Sequence, residues 1–257
     1  MPCSTFTDTL EAVSNGSADF AMVPIENSVA GRVADIHRLL PESGLSIVGE
    51  HFLRVEHALL ALPGVTLNEL QTVKSHPQAL AQCRGRLRSL GLTSVVTSDT
   101  AGAAREVHEK ADPTCAAVAS TWAGEVYGLS VLASQIEDAP HNTTRFLIMA
   151  REGAQQATTN HTITTIVFRL RSVPAALYKA LGGFATNGIN LTKIESYLLG
   201  GSFDAAQFYV DAIGHPEQPS MKNALDELRF FCTDGGVHIL GVYPAHPFRA
   251  PSSNKPN

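Results

Sequence analysis

The sequence predicts an α/β protein in two parts, and three observations carry that prediction. Across residues 1–150, short apolar runs alternate with helix-period patterns, which implies a largely parallel sheet covered on both sides. Residues 151–161 (REGAQQATTNH) are polar, lack apolar periodicity and read as a linker. Residues 162–244 then run strand, helix, strand, strand, helix, strand, the βαββαβ order of a ferredoxin-like sandwich.

Phe6, Leu10 and Val13 recur at helical spacing behind Ser4 and Thr5, either of which can cap the helix, and Asn15-Gly16 ends it. Phe20 to Ile25 reads as a buried strand, Val29 to Leu40 as a helix and Ser46 to Ala61 as extended chain. Val73 leads into a helix from Ser75 to Leu90, with Ser75 and Gln78 spaced as a capping box and Pro77 in the first turn. A strand at Ser94–Val96, a helix from Thr100 to Glu109, a strand at Ala116–Ala119 and a helix at Thr121–Tyr127 complete the alternation. In the second part the expected elements are strand Thr162–Leu170, helix Pro174–Asn187, strands Ile189–Leu199 and Ala205–Ile213, helix Ser220–Cys232 and strand Val237–Tyr243. Residues 245–257, rich in Pro, Ser and Asn, read as a disordered tail. The opening helix is an oddity for this fold class, because no strand precedes it.

Composition narrows the function classes. Hydrophobic residues at 44% and charged residues at 17% of 257 exclude intrinsic disorder. A net charge of -5 argues against general nucleic-acid binding but leaves room for an anionic small molecule held by a few placed cations. Cys3, Cys83, Cys115 and Cys232 have no short spacing, so a structural zinc site is not expected. With no secretory signal they read as reduced thiols of a cytosolic chain. No apolar run approaches the roughly 18 residues of a membrane span.

Three stretches carry candidate chemistry. Asp138 to Met149 (DAPHNTTRFLIM) sets two threonine hydroxyls and a guanidinium just before an apolar strand. Arg145 can hold a carboxylate in a bidentate fork, and Thr144 can donate a hydrogen bond to a departing oxygen. The same residues can also do no more than start a strand and meet solvent. Val73 to Cys83 (VKSHPQALAQC) opens a helix whose free N–H groups suit an anion, with Gln82 one turn beyond Gln78 on the same face. His76 is equally a solvated residue or a ligand. Val23 to Val33 (VPIENSVAGRV) ends a strand in Glu26, Asn27 and Ser28, at the carboxyl end where open α/β sheets bind ligands. Asn27 or Ser28 can instead simply cap the helix expected after them.

VPIENSVAGRV, SHPQALAQC and NTTRF in this order, in a chain that closes with GINLTKIES, resemble prephenate dehydratase with its C-terminal ACT regulatory domain. The resemblance covers residues 3 to 244. It implies decarboxylating dehydration of prephenate to phenylpyruvate in the cytosol, on the way to phenylalanine, without a metal or organic cofactor. It implies a catalytic domain over 1–150 of two lobes, resembling a type II periplasmic binding protein, with the site between them. Lobe one would take about 1–57 and 137–150, lobe two about 58–136, followed by the linker at 151–161 and the ACT domain at 162–244. Carried over by motif, Thr144 is the key hydroxyl and Arg145 the carboxylate anchor. Asn27, Ser28, Ser75 and Gln82 would line the pocket, with Glu26 and Thr100 (in SDTAGAA) as further candidates. Phenylalanine would be the effector, bound between protomers of a homodimer or a multiple of it. Its site would lie against the loop Ser172, Val173, Pro174, Ala175, Ala176, Leu177 and the turn Asn187, Gly188, Asn190, Leu191, with Glu195 and Ser196 alongside.

Two departures from the family stand out. Its opening strand and glycine-containing loop have no counterpart before Pro2, which accounts for the orphan helix and leads to the expectation that an upstream extension restores them. Its effector motifs G-A-L-V and E-S-R-P stand here as Pro174-Ala175-Ala176-Leu177 and Glu195-Ser196-Tyr197-Leu198. Arogenate dehydration, and a non-catalytic amino-acid-binding protein on the same lobes, are the alternatives.

Overall fold

Thr5 caps the first helix, α1 (Phe6–Ser14): its hydroxyl accepts from the Asp8 N–H while the Asp8 carboxylate accepts from the Thr5 N–H. The computed structural model describes residues 1–152, 161–198 and 206–250. Most of the expected linker, residues 199–205 and residues 251–257 of the expected tail lie outside the described residues.

After α1 come β1 (Ala21–Asn27), β2 (Gly31–Arg32), α2 (Ala34–Leu39), β3 (Ser46–Arg54) and β4 (Ala58–Ala61). The helix expected from Val29 starts late because Gly31 takes a left-handed conformation, φ +83°, that breaks helical continuity there. The extended run 46–61 is two strands that join different sheets. Next are β5 (Thr72–Ser75), α3 (Pro77–Gln82), α4 (Arg84–Ser89), β6 (Thr93–Val96), α5 (Thr100–Lys110), β7 (Cys115–Ala119) and α6 (Thr121–Tyr127). The capping box expected at Ser75 is absent. Ser75 ends β5, and His76 caps α3 by accepting from the Gln78 N–H. Strand β8 (Ser130–Ala133), which the sequence did not announce, and β9 (Thr143–Ala150) close this part. Then come β10 (Thr162–Leu170), α7 (Ala176–Thr186), β11 (Leu191–Leu198), β12 (Ala206–Ile213), α8 (Pro219–Phe231) and β13 (Cys232–Pro244), in the expected βαββαβ order.

The chain forms two compact units. The first comprises Met1–Glu26, Arg32–Phe52 and the residues from Arg145 on; the second comprises Asn27–Gly31 and Leu53–Thr144. In the first, an eight-stranded sheet runs β11-β12-β10-β13-β3-β9-β1-β2, so the βαββαβ strands continue directly into the amino-terminal ones. Strand alternation builds two cores. On β10, Ile163 and Val167 join Val23, Ile25, Ile47 and Leu147, whereas Ile166 and Phe168 pack with Phe184, Leu225 and Leu228 of the two covering helices. The seam is the parallel contact of Gly241 with Ile47. A Cβ on Gly241 would collide with the Ile47 carbonyl oxygen, so the close approach depends on glycine. The expected disordered tail begins differently: Pro247–Arg249 form a 3₁₀ turn, and Arg249 pairs with the buried Glu50 at 2.6 and 2.9 Å.

The second unit holds a mixed rather than largely parallel sheet, ordered β6-β5-β7-β4-β8, with β4 antiparallel to both neighbours. Leu59, Val73, Leu80 and Val118 build one core, and Leu60, Ala104, Val107 and Ala117 the other. All four cysteines are free thiols, and burial pushes Cys83 up to about 12, which keeps it protonated. No described helix is long and apolar enough to cross a membrane.

Candidate active site

In the second unit, polar side chains from four separate stretches join in one hydrogen-bonded chain. Asn27 sits at the carboxyl end of β1, and its Oδ1 accepts from the backbone N–H groups of Val29 (3.0 Å) and Ala30 (2.8 Å). Those two donors fix which end of the amide is oxygen. Its Nδ2 therefore donates, to Asn142 Oδ1 at 2.8 Å and to Thr144 Oγ1 at 3.0 Å. The order propagates. Asn142, with its oxygen taken as acceptor, donates through Nδ2 to Gln82 Oε1 at 3.0 Å. Gln82 Oε1 also meets His57 Nε2 at 2.8 Å, so that nitrogen carries a proton in this arrangement. The result is a directed series from the backbone at residues 29–30 to the imidazole of His57.

Two consequences bear on chemistry. Thr144 Oγ1 accepts from Asn27, which leaves its own proton to donate elsewhere. Gln82 uses only its oxygen in the chain, and its Nε2 has no partner among the described residues. The arrangement is a hydroxyl donor, an amide donor and an imidazole N–H, held by one another and by backbone.

The sequence-selected residues separate into three groups. Thr144, Asn27 and Gln82 are brought together. Ser28 and Ser75 are tied into the framework instead of presenting free hydroxyls. Ser28 Oγ donates to the His141 carbonyl (2.7 Å) and accepts from the Thr143 N–H (2.9 Å), which pins the strand carrying Thr144. Ser75 is fully buried and donates to the Val118 carbonyl at 2.6 Å, stitching β5 to β7. Thr100, at the first position of α5 behind the Asp99 cap, is half-buried and outside the hydrogen-bonded chain.

Arg145 and Glu26 belong to the first unit and to a buried charge cluster. The Arg145 guanidinium is 2% exposed. It donates to Glu50 (2.8 Å), Glu26 (2.9 Å), Asp211 (2.6 Å) and the Tyr243 hydroxyl (3.1 Å). A fork engaged by three carboxylates does not stand open as the expected substrate anchor. Burial alone would raise the Glu26 carboxyl, but hydrogen bonds and charge from Lys193 and then Arg145 outweigh it and hold Glu26 below the ordinary value. Glu50 is held low in the same way, by Arg249 and Arg145 against its burial.

Sequence reasoning missed His57 and Asn142. Asn142 was within reach, since it stands two residues before Thr144, the spacing that shares one side of a strand. His57 carries no local signal; its relation to Gln82 is purely spatial.

Of the residues expected around an effector, Ser172, Val173, Ala175, Ala176 and Leu177 line an open cavity of about 310 Å³ at the start of α7, together with Tyr178 and Phe208. Ala175 holds a left-handed conformation there, φ +61°, and Pro174 is not among the lining residues. The others sit elsewhere. Asn187 Nδ2 donates to the Gly183 carbonyl (2.8 Å) and Glu227 (3.1 Å), and Gly188 turns the chain at φ +67°. Asn190 accepts through its carbonyl from Ile213, and Leu191 packs on the helix-covered core. Glu195 pairs with Arg32 and Lys193, and the Ser196 carbonyl accepts from Arg32.

Residues 1–154 match the family described as prephenate dehydratase. A bifunctional N-acyl-homoserine lactone acylase/prephenate dehydratase of Komagataeibacter europaeus is 54% identical, over 97% of this chain and 88% of its own length. Arogenate dehydratase/prephenate dehydratase 2 of Arabidopsis thaliana, chloroplastic, is 42% identical over 95% of this chain, which spans 66% of that relative. The crystal structure of prephenate dehydratase from Arthrobacter aurescens in complex with L-Phe superposes with a TM-score of 0.85 at 35% identity, over 95% of this chain and 81% of that one.

Proposed function

The chain belongs to the prephenate dehydratase family, a family of lyases, and from that premise we propose that it converts prephenate to phenylpyruvate with Thr144 as the donor to the departing hydroxyl. The observation that carries the assignment is the Asn27–Thr144 hydrogen bond, in which the threonine oxygen accepts and its own proton stays available to donate. The bond from the ring to its carboxylate breaks and releases carbon dioxide; its electron pair enters the ring, which becomes aromatic as the C–O bond opposite breaks. Hydroxide is a poor leaving group, so a proton must reach it, and each turnover takes up one proton and yields water. A positioned hydroxyl that strengthens its hydrogen bond as oxygen departs contributes about two to three powers of ten in rate. Gln82 Nε2 supplies a second donor, and His57 and Asn142 keep that amide oriented.

The test is steady-state kinetics of purified protein with prephenate. Thr144→Ala lowers kcat about a hundredfold or more with little change in KM, while Thr144→Ser keeps most of the rate. Full turnover in the alanine variant would remove Thr144 from the mechanism.

The finer architecture belongs to the same proposal. Residues 1–150 are the two-lobed catalytic domain and 162–244 an ACT domain that pairs two chains through its sheet edge. The cavity at Ser172–Leu177 takes L-phenylalanine as feedback effector, a reading supported by the L-Phe complex of the Arthrobacter relative. The cytosol is its expected place. The names of the plant and Komagataeibacter relatives motivate two further substrates for the same assay, arogenate and an N-acyl-homoserine lactone.

A further inference from the structure

A small cavity of about 100 Å³ in the first unit collects cationic and donor groups that no part of the reaction above uses. One wall is the end of α2 and the turn after it, with Arg38, Pro41 and Glu42; the other is the sheet, with Arg169, Tyr197, Gln207 and His238. The sheet residues come from four strands whose register sets them side by side: Arg169 faces Gln207 across β10–β12, and Tyr197 faces Gln207 across β11–β12.

Gln207 organises this wall. It is 2% exposed, accepts from Arg169 Nε at 2.7 Å and donates to the Tyr197 hydroxyl at 2.5 Å. Each partner is thereby oriented with capacity left over. Among the described residues, neither terminal nitrogen of the Arg169 fork has a hydrogen-bond partner. Tyr197 accepts from Gln207 and so keeps its own proton to donate, and burial lifts its pKa to about 12, which secures that proton at neutral pH. Neither Arg38 nor Arg169 has an acidic partner within ion-pair distance among the described residues, and Glu42 is the one carboxylate on the lining. Arg38 and Arg169 are exposed residues that both border this one space, and an anion held there offsets the repulsion between their like charges. About 100 Å³ is roughly three waters' share of liquid volume, enough room for a tetrahedral oxyanion.

We propose that this cavity is a binding site for a small tetrahedral oxyanion, held by the Arg169 fork, Arg38 and the Tyr197 hydroxyl, and supplied either as inorganic phosphate or as the terminal phosphate of a phosphomonoester. The site is separate from the cavity at Ser172–Leu177, with which it shares no lining residue, and does not depend on the reaction assigned above.

The experiment is calorimetric titration of the full chain with inorganic phosphate, in a buffer without other oxyanions and at fixed ionic strength. A second arm uses methyl phosphate. Saturable one-to-one binding is expected, weakened at least tenfold by Arg169→Gln and by Arg38→Gln on the opposite wall, and severalfold by Tyr197→Phe. Arg84→Gln, a surface arginine of α4, leaves it unchanged. Equal affinity for methyl phosphate identifies a phosphomonoester as an acceptable source, and loss of affinity identifies free phosphate. No saturable heat up to about 50 mM phosphate overturns the proposal. So does binding that survives unchanged in both arginine variants, provided their melting temperatures match the parent.

Discussion

Replacing Arg145 by methionine separates two accounts of that residue. As a substrate anchor, Arg145 would control affinity and leave stability nearly untouched. In the structure it instead compensates buried acids, and its loss acts on the fold. Arg145, Arg249, Lys193 and Arg32 face Glu26, Glu50, Asp211 and Glu195, so the connected cluster is balanced at four charges of each sign, with Arg32 and Glu195 at its more exposed edge. The side chains of Glu50 and Asp211 are fully buried. Removing one partner of a buried ion pair costs about 3–5 kcal/mol. Arg249 still holds Glu50 at 2.6 Å, and Thr165 still donates to Asp211 at 2.6 Å, which places the loss near the lower end, about 3 kcal/mol. For a chain of this size that is a fall in melting temperature of about 6–12 °C. Arg145→Lys keeps the charge but cannot reach three carboxylates and a tyrosine at once, and falls between.

The pH dependence has a definite sign. Glu26 and Glu50 are held below their ordinary value near 4.5 in the folded protein, so their contribution is present above that pH and fades as pH falls through the folded values. Without Arg145 that contribution shrinks. The gap in melting temperature between parent and Arg145→Met is therefore widest at neutral pH and narrows below about pH 4.5. Differential scanning calorimetry at pH 7 and pH 4 measures both, with KM for prephenate alongside. A variant that melts within about 2 °C of the parent at pH 7 while KM rises tenfold would refute the cluster argument and restore the anchor.

Two further outcomes rest on particular contacts. Gly241→Ala sets a methyl against the Ile47 carbonyl and lowers stability by about 1–3 kcal/mol in denaturant titration; an unchanged midpoint would mean that β13 and β3 do not approach this closely. L-Phenylalanine releases heat on titration and raises the melting temperature, and Leu177→Glu at the cavity mouth weakens it at least tenfold. Absence of heat at millimolar phenylalanine would leave that cavity without its proposed ligand.

The alternation of strands and helices and the βαββαβ order were legible from residue order, because periodicity is a local property, whereas the grouping of Asn27, Gln82 and Thr144 was implied by the family resemblance that their motifs carry. The motif NTTRF nevertheless concealed a division. Neighbouring residues on a strand project to opposite sides, so Thr144 joins Asn27 and Asn142 while Arg145 turns into the charge cluster of the other unit. A motif records proximity along the chain and is silent on which side each member serves. Ser75 illustrates the same limit: its spacing to Gln78 matches a capping box, yet its hydroxyl reaches β7, a partner 43 residues away. The pairing of Arg249 with Glu50 spans 199 residues and converts the start of an apparent tail into part of the core. Sequence by itself determined most of the elements, since these depend on local propensity, and its family motifs pointed to Asn27, Gln82 and Thr144. Only the tertiary structure decided which of those residues are free to act, because a side chain's availability depends on the partners that distant segments bring to it.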